Sequence, residues 1–425
     1  MINLAQQFRD EVINITQYVR ALQDSFDAEE PTIFSFVPEA RRWLRVTAAL
    51  MLLCDRWPDK TQRPPLFGVP IGVKDIFHVN GLPTRAGSSL PPDVLAGAEL
   101  QAVTRLKAAG AFVLGKTVTT EFAWFGPGPA RNPHNPLHTP GGSSSGSGAA
   151  VGAGIVPIAL GSQTIGSINR PSSFRGCVGF KPSYDRISKE GAIELSRSHD
   201  HVGVLAESVS SAELAIATMI GTDAWQPVHG KGRPAVLGIP VGAYLEQVEA
   251  VGMARFWEAV VHLEDKGYIV KRIPALDNIA QLDKQHRRLL AADAASYHAQ
   301  FSDYHGLYHE KTRELIAQGQ TVTKAEIMAD KQAKSDLATH LTALMDANGI
   351  DLWLTPSAPG PAPLGHASTG NPIMQLPFTM AGFPMLNIPF GMVDGLPVGV
   401  QFSGRFGHDE GVFDFGRRLE IALNN

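Results

Sequence analysis

The chain has 425 residues, with 37 Lys and Arg against 41 Asp and Glu and a formal net charge of -4. This balance gives no general basic field, so we expect neither nucleic acid nor a membrane as a partner. Hydrophobic residues make up 44% and charged residues 18%, which is typical of a globular protein with a large core. The polar start has no signal-peptide core, and the apolar run Ala48 to Cys54 is too short to span a bilayer.

Cys54 and Cys177 are the only cysteines of the sequence, and they lie far apart. Cytosolic proteins keep their thiols reduced, whereas small secreted domains are rich in paired cysteines. The sequence therefore predicts a cytoplasmic protein with two reduced thiols.

The first half of the chain alternates between helical and strand-like segments. Apolar positions at helical spacing predict N-terminal helices over 1–60. The apolar, β-branched segment Leu66 to Val73 predicts a buried strand. A helix over Leu100 to Ala109 and a strand over Ala111 to Leu114 are expected next. The alternation continues to about residue 240, which favours an α/β fold with a catalytic core over 65–240.

The second half of the chain differs in texture. Residues 246–348 are mainly helical in pattern and richer in charge, which predicts a helical insertion. Residues 350–425 return to short apolar strands separated by Pro and Gly, and they end in a helix. No segment of flexible-linker composition separates these parts. We therefore expect a single domain over 1–425.

Two clusters of serine and glycine, Gly141 to Ser147 and Gly161 to Ser167, bracket a small-residue segment that predicts a helix. Glycine allows backbone amides to approach a ligand, and serine supplies hydroxyl groups that can act as nucleophile, donor or acceptor. The pair of clusters therefore predicts two catalytic loops.

Three simpler sequence motifs also match the chain, but the residues in and around each of them do not fit the function that the motif indicates. Gly110 to Thr117 matches the phosphate-loop expression GxxxxGK[ST], but its interior is apolar and strand-like. Gly142 to Gly146 matches the G-x-S-x-G elbow of α/β-hydrolases, which needs a strand directly before it, and a proline-rich segment stands there instead. Gly146 to Gly148 lacks the strand and the acidic residue of a dinucleotide-binding fingerprint.

A lysine base is the remaining possibility for activating a serine. Lys74 ends a segment too apolar for a solvent-facing charge. An amine in a low-dielectric site has a lowered pKa and can act as a neutral base near pH 7. Lysine with serine hydroxyls is a known alternative to the histidine triad.

Three motifs together resemble the amidase signature family, namely GVPIGVKDI (68–76), PGGSSSGS (140–147) and LGSQTIGSINRPSSFRGCVGFKPS (160–183). The resemblance extends from Leu66 to Glu420. It implies an α/β/α sandwich with a mixed central β-sheet and a serine–cis-serine–lysine triad that uses no metal and no cofactor. By this resemblance, Lys74 matches the base, Ser143 matches the bridging serine after a cis peptide, and Ser167 matches the nucleophile. The family's oxyanion hole corresponds to four backbone amides, those of Thr164, Ile165, Gly166 and Ser167.

The chain departs from the common family pattern near the nucleophile. Ile165 replaces a glycine, Gln163 replaces an aspartate, and Asn169 followed by Arg170 replaces an arginine two residues after the nucleophile. The order Ser-Ile-Asn-Arg-Pro is similar to the branch that includes malonamidase and biuret-pathway hydrolases. We therefore expect Arg170 to bind a substrate carboxylate, with a structural ion pair as the alternative.

Gly142 and Ser144 complete the expected substrate-binding set, although Ser144 could equally cap the backbone. Paired histidines suggest a metal alternative, but no carboxylates accompany them at ligand spacing. These histidines, which we expect to be hydrogen-bonded or solvated, are His134, His138, His199, His201, His305 and His309.

The sequence thus predicts an amidohydrolase that cleaves the C–N bond of a small amide through a serine acyl-enzyme and releases ammonia or an amine. The expected partner is a small-molecule amide, and the resemblance leaves a homodimer open. One alternative within the family is the A subunit of a tRNA-dependent glutaminyl or asparaginyl amidotransferase, which the residues around Asn169 disfavour. The other alternative is a non-catalytic scaffold of the same fold.

Overall fold

Short apolar segments form strands along the chain, in a computed structural model that describes residues 2–10, 14–221, 223–228, 230 and 232–425. Within these residues, ten strands β1 to β10 are formed by Pro70–Lys74, Phe112–Thr117, Ile158–Gln163, Val178–Lys181, His201–Ala206, Val236–Val241, Ile269–Pro274, Leu352–Pro356, Met385–Val393 and Leu396–Ser403. They make one sheet with the order β2-β1-β3-β5-β4-β9-β10-β8-β6-β7.

Parallel pairs lie towards both edges of this sheet, and antiparallel pairs lie in its middle. β1 pairs in parallel with β2 and β3, and β6 pairs in parallel with β7 and β8. The pairs that join β3 to β8 through β5, β4, β9 and β10 are antiparallel. The predicted α/β fold with a mixed central sheet is therefore confirmed.

Helices cover both faces of the sheet. In the described part of the chain, helices α1 to α13 are Ile2–Arg9, Ile15–Ile33, Arg42–Arg56, Gln101–Ala108, Ser145–Gly152, Asn169–Arg175, Val209–Ile220, Ala250–Asp265, Ile279–His298, Glu310–Gln320, Lys324–Asn348, Leu376–Met380 and Asp409–Asn424. None of these helices is long and apolar enough to cross a membrane. Of the predicted N-terminal helical region, residues 1 and 11–13 lie outside the described residues.

Alternate residues of β2 point to opposite faces of the sheet, as strand geometry requires. Phe112 and Leu114 pack in a core cluster with residues of α2, α3 and α5. Val113 packs in the second, larger cluster, which contains residues of α4 and α7. The sheet therefore lies between two helical layers.

Two elements differ from the prediction for clear local reasons. β1 begins at Pro70 because residues 66–69 form a turn in which Gly68 has a φ of +74°. β7 lies inside the segment predicted to be helical, and it is an edge strand with Lys271 and Arg272 exposed. A charged edge strand carries little of the apolar signal by which strands are recognised, although such charges protect the edge from pairing.

The phosphate-loop match is part of a strand. Gly115, Lys116 and Thr117 continue β2 in register with β1. Lys116 is buried, and its amine forms an ion pair at 2.7 Å with Asp75. The motif is therefore part of a strand and does not form a phosphate-binding loop, as the sequence analysis expects.

Parallel pairing of β1 with β3 brings the ends of both strands to the same edge of the sheet. Lys74 is the last residue of β1, and Gln163 is the last residue of β3. The two serine–glycine loops start α5 and precede α6, which makes this edge the place where the predicted catalytic residues meet.

Close packing of α5 against neighbouring backbone leads to a stability prediction. A Cβ on Gly146 would lie 2.2 Å from the carbonyl oxygen of Ser35 and 2.4 Å from the amide nitrogen of Val118. Because backbone atoms cannot move aside cheaply, Gly146→Ala should lower the free energy of unfolding by about 1–3 kcal/mol. Gly411→Ala in α13 is the matched control, since nothing lies within 4 Å of its added Cβ. Denaturant unfolding that found both variants equally stable would contradict this packing.

Candidate active site

Lys74 is fully buried at the end of β1, a strand whose five residues are all buried. Its Nζ forms hydrogen bonds of 2.7 Å with Ser143 Oγ and 2.7 Å with Ser162 Oγ. Burial lowers the pKa of Lys74 well below its usual value, while the charge of Asp200 acts in the opposite direction. The site therefore favours a neutral amine that can accept a proton from a hydroxyl group.

Ser143 lies in the loop that starts α5. The peptide bond between Gly142 and Ser143 is cis, as the family resemblance implies. The carbonyl oxygen of Ser143 accepts a hydrogen bond of 3.3 Å from the amide of Thr120, and Ser143 lines a small cavity at this edge of the sheet. Ser143 is thus in contact both with the buried amine and with the cavity.

Ser167 lies between the end of β3 and the start of α6, and it lines the same cavity. It is 9% exposed, whereas Ser143 is 3% and Lys74 is 0% exposed. Exposure thus increases from the predicted base Lys74, through the bridging Ser143, to the predicted nucleophile Ser167. The remaining lining residues are Ala123, Trp124, Phe125, Thr164, Ile165, Gly166, Arg170, Leu195, Thr369 and Pro372.

Gln163 anchors the turn that carries Ser167. Its Oε1 accepts hydrogen bonds from the amides of Ile168 at 2.8 Å and Asn169 at 3.0 Å. These amides belong to the first turn of α6, whose N–H groups lack partners within the helix. In this chain the acceptor for these amides is therefore a neutral amide oxygen, at a position where many family members carry an aspartate. Asn169 is fully buried and does not line the cavity.

Arg170 is buried and lines the cavity, and its hydrogen bonds go to neutral oxygens. Its guanidinium donates to the carbonyls of Gly370 at 2.7 Å and Gly142 at 2.6 Å, and to Thr369 Oγ1 at 3.1 Å. Burial lowers the pKa of Arg170 to about 9. The guanidinium stays charged at neutral pH and forms no ion pair within the described residues, so the structural ion-pair alternative has no partner there.

Two predicted substrate-binding residues lie behind the cavity. Ser144 is fully buried, and its Oγ donates to the carbonyl of Ser162 at 3.2 Å. Gly142 contributes the carbonyl that Arg170 binds. Neither residue lines the cavity, and contact of either with a substrate stays a prediction.

Ser162 is the residue that the sequence analysis missed. It lies on β3, is 4% exposed and forms the second hydrogen bond to Lys74. The strand period does not reveal this contact, because every second residue of a strand points to the same face. Ser162 shares a face of β3 with Leu160, which pairs with Val73, so alternation places Lys74, the neighbour of Val73, on the other face.

The histidine pairs do not assemble into a ligand cluster. Among the described residues, no group of three or more His, Cys, Asp or Glu side chains is arranged to hold a metal ion. His134, His138 and His305 form hydrogen bonds to backbone carbonyls, at distances of 3.1, 2.7 and 3.0 Å. Hydrogen-bonded histidines are what the sequence analysis expects.

A family model described as Amidase matches residues 17–413. The chain belongs to the amidase family. The A subunit of a glutamyl-tRNA(Gln) amidotransferase from Synechococcus sp. (strain WH7803) is 32% identical, covering 98% of this chain and 96% of the relative. The protein of the same name from Exiguobacterium sibiricum is 30% identical, with 85% of each chain covered. A solved crystal structure of an amidase has 30% identity and a TM-score of 0.89, with 99% of both chains covered.

These similarities establish amidase-family enzymatic chemistry, hydrolytic or amidotransferase, and they correct two predictions. The small-amide hydrolase was the wrong choice of main function, because the curated relatives carry the name of an amidotransferase subunit. The likeness to the malonamidase branch is not confirmed. The structure gives the reason: Arg170 is held by scaffold carbonyls, so the order of residues around it does not by itself identify a substrate.

The expectation that no nucleic acid is a partner is also wrong, since the names of the relatives include a tRNA. The net charge of -4 describes the whole chain. An RNA can be bound through a local surface or through another protein of the same complex, and neither changes the sum of charges in this sequence.

The second hydrogen bond to Lys74 gives a prediction about Ser162. Ser162→Ala removes one of two partners that hold the amine, so kcat should fall by about tenfold, the effect expected from loss of about 1.4 kcal/mol of positioning. Ser162→Thr keeps a hydroxyl group and is the matched control. Steady-state kinetics with the substrate proposed below measures both variants. Equal activity of Ser162→Ala and the unaltered protein would show that Ser162 does not help to position Lys74 for catalysis.

Proposed function

We propose that this chain is the amide-cleaving subunit of an amidotransferase, which takes ammonia from the side-chain amide of a donor such as glutamine. The contact that carries the proposal is the hydrogen bond of 2.7 Å between the buried amine of Lys74 and Ser143, at the base of a cavity that Ser167 also lines. The names of the curated relatives support the choice of an amidotransferase. The two reduced cysteines agree with a cytoplasmic location, which is part of the proposal.

The proposed reaction begins with a proton relay. Neutral Lys74 accepts the proton of Ser143, Ser143 accepts the proton of Ser167, and Ser167 Oγ attacks the carbonyl carbon of the donor amide. The lysine proton then returns through Ser143 to the leaving nitrogen, and ammonia departs. Water subsequently attacks the acyl-enzyme ester by the same relay and releases the carboxylic acid.

Backbone amides supply the electrostatic part of the proposed catalysis. Attack by Ser167 places a negative charge on the former carbonyl oxygen. The proposed donors to that charge are the amides of residues 164–167, all of which line the cavity. Removing one donor from such an oxyanion hole costs about 2.7–4 kcal/mol of the barrier. A Cβ on Gly166 would lie 2.5 Å from Gln375 Oε1 and 3.0 Å from Pro372 Cβ, so a side chain there would have to displace these neighbours.

Arg170 is the proposed contact for the carboxylate of the donor. It is a buried cation at the cavity with only neutral partners, and a buried charge without a counter-ion is costly. The α-carboxylate of glutamine would supply the missing charge and fix the orientation of the amide. The side chain of Ile165 also lines the cavity and restricts it to a narrow donor.

The first experiment tests ammonia release. Ammonia formed from glutamine is measured for the chain alone and with its co-expressed partner subunits and glutamyl-tRNA. We expect release in the assembled enzyme, and loss of at least about 10³-fold in Lys74→Met and Ser167→Ala, since each removes a member of the relay. Circular dichroism checks that both variants are folded. Release from other amides but none from glutamine in any assembly would contradict the proposed function.

The second experiment tests the charge state of Lys74 through pH. The deprotonated amine is the active form, so kcat/KM should be high above the pKa of Lys74 and fall as pH drops through it. The charge of Asp200 raises the pKa of Lys74. Asp200→Asn should therefore move the acidic limb of the kcat/KM profile, where activity falls with falling pH, to lower pH. Asp336→Asn is the control, because its carboxylate is exposed on α11 and accepts a hydrogen bond from Gln332. A limb that moved to higher pH in Asp200→Asn would refute the assignment.

A further inference from the structure

Three consecutive carbonyl groups of the oxyanion loop, defined here as residues 163–166, each accept a hydrogen bond from a side chain. The three donors come from β5, α9 and α12, which are far apart in sequence. The pairs are His201 Nδ1 with the carbonyl of Gln163 at 3.1 Å, His286 Nε2 with the carbonyl of Thr164 at 3.0 Å, and Thr379 Oγ1 with the carbonyl of Ile165 at 2.7 Å.

Each of these side chains bonds to the C=O of a peptide group, on the side opposite to the N–H of the same peptide group. In a trans peptide the C=O and the following N–H point in opposite directions, and among the described residues the Gly142–Ser143 bond alone is cis. A hydrogen bond to the carbonyl of Thr164 therefore holds the peptide plane that carries the amide of Ile165. It also polarises that peptide, which makes its N–H a stronger donor.

The chemistry of His286 fits a donor rather than a packing residue. A carbonyl oxygen only accepts, so Nε2 carries the proton, and burial lowers the pKa of His286 to about 3 and keeps the ring neutral. Its Nδ1 is buried without a partner in the described part of the chain. An unpaired polar atom is costly to bury, and leucine at this position would avoid that cost. The hydrogen bond to the loop is what distinguishes histidine at this position.

The placement of His286 is fixed at two points of α9. Its ring stacks on the ring of His199, with centroids 3.9 Å apart and planes inclined by 34°. Two turns further along the helix, Asp293 accepts hydrogen bonds from Ser196 Oγ at 2.7 Å and the amide of Ser198 at 2.9 Å. The helix is thereby anchored to the segment that precedes β5.

We propose that His286 is a positioning residue, which together with His201 and Thr379 aligns and polarises the backbone amides of the oxyanion loop from behind. This inference rests on the proposed function, because it assigns those amides to the oxyanion of acyl transfer. It also gives α9, which belongs to the predicted helical insertion, a role in the chemistry. Preorganised dipoles of this kind act in the transition state more than in substrate binding, so the expected effect is on kcat.

The test uses a fluorophosphonate probe, whose reaction needs no knowledge of the natural substrate. A bond forms between Ser167 Oγ and phosphorus, fluoride leaves with its electron pair, and the hydroxyl proton passes through Ser143 to Lys74. The phosphoryl oxygen then occupies the position of an oxyanion. The second-order rate constant of labelling is measured by intact mass for the unaltered protein, His286→Leu and His286→Gln.

We expect His286→Leu to label about tenfold more slowly, while His286→Gln, which retains an N–H donor, stays within about threefold of the unaltered protein. With glutamine as substrate, kcat should fall in the same ratio and KM should stay unchanged. His286→Leu reacting as fast as the unaltered protein, or His286→Gln reacting as slowly as His286→Leu, would overturn the inference. If His286→Leu does not fold, Thr379→Val against Thr379→Ser gives the same comparison at the next carbonyl.

The two proposals can fail separately. Labelling of the unaltered protein without ammonia release from glutamine would refute the amidotransferase function, and the ratio between the His286 variants would still decide the present inference. Ammonia release that is unaffected by either His286 variant would leave the proposed function intact and overturn the role of His286.

Discussion

The buried amine of Lys74 and the two hydroxyl groups that hold it are the constraint on which the rest of the site depends. The chain offers its own comparison in Lys116, a second buried lysine on the adjacent strand. Lys116 forms an ion pair with Asp75 at 2.7 Å, whereas Lys74 contacts Ser143 and Ser162. Burial lowers the pKa of both amines, but only Lys116 has a carboxylate in contact to hold its proton. The adjacent strands β1 and β2 thus carry one amine suited to proton transfer and one structural cation.

The surroundings of the cavity are polar, yet very little charge reaches it. Gln163 caps α6 with a neutral oxygen, and the carbonyls behind the oxyanion loop are satisfied by neutral histidine and threonine side chains. Asp200, whose pKa burial raises to about 6, accepts a hydrogen bond of 2.6 Å from Thr164 Oγ1. Burial of these groups excludes water and lowers the local dielectric, so fixed dipoles such as the backbone amides act more strongly on a developing charge. The exceptions are Asp200, which lies behind Thr164, and Arg170, which lines the cavity. A buried cation at the cavity is consistent with an anionic group on the ligand.

Sequence reasoning recovered the parts of the fold and site that short segments determine. The strand before Lys74, the helix after Ser144 and the two serine–glycine loops follow from local composition, and the resemblance linked them into one site. It missed Ser162, because strand alternation places Ser162 and Lys74 on opposite faces of the sheet, and their contact forms only where the two strands end. It could not place His286, because α9 is separated from the loop by more than a hundred residues and its apolar pattern is that of any amphipathic helix. Contacts between distant elements depend on how the layers pack, and no local pattern encodes them.

The error over function has a related physical origin. Cleavage of an amide by a hydrolase and by an amidotransferase passes through the same acyl-enzyme, so both need the same amine, hydroxyl groups and amides. The difference lies in where the ammonia goes, which depends on surfaces and partners away from the reacting atoms. Residues such as Asn169 and Arg170 lie next to the nucleophile and look informative for that reason. Because Asn169 is buried outside the cavity and Arg170 is bound to Gly142 and Gly370, their identity reflects support of the loop as much as choice of substrate.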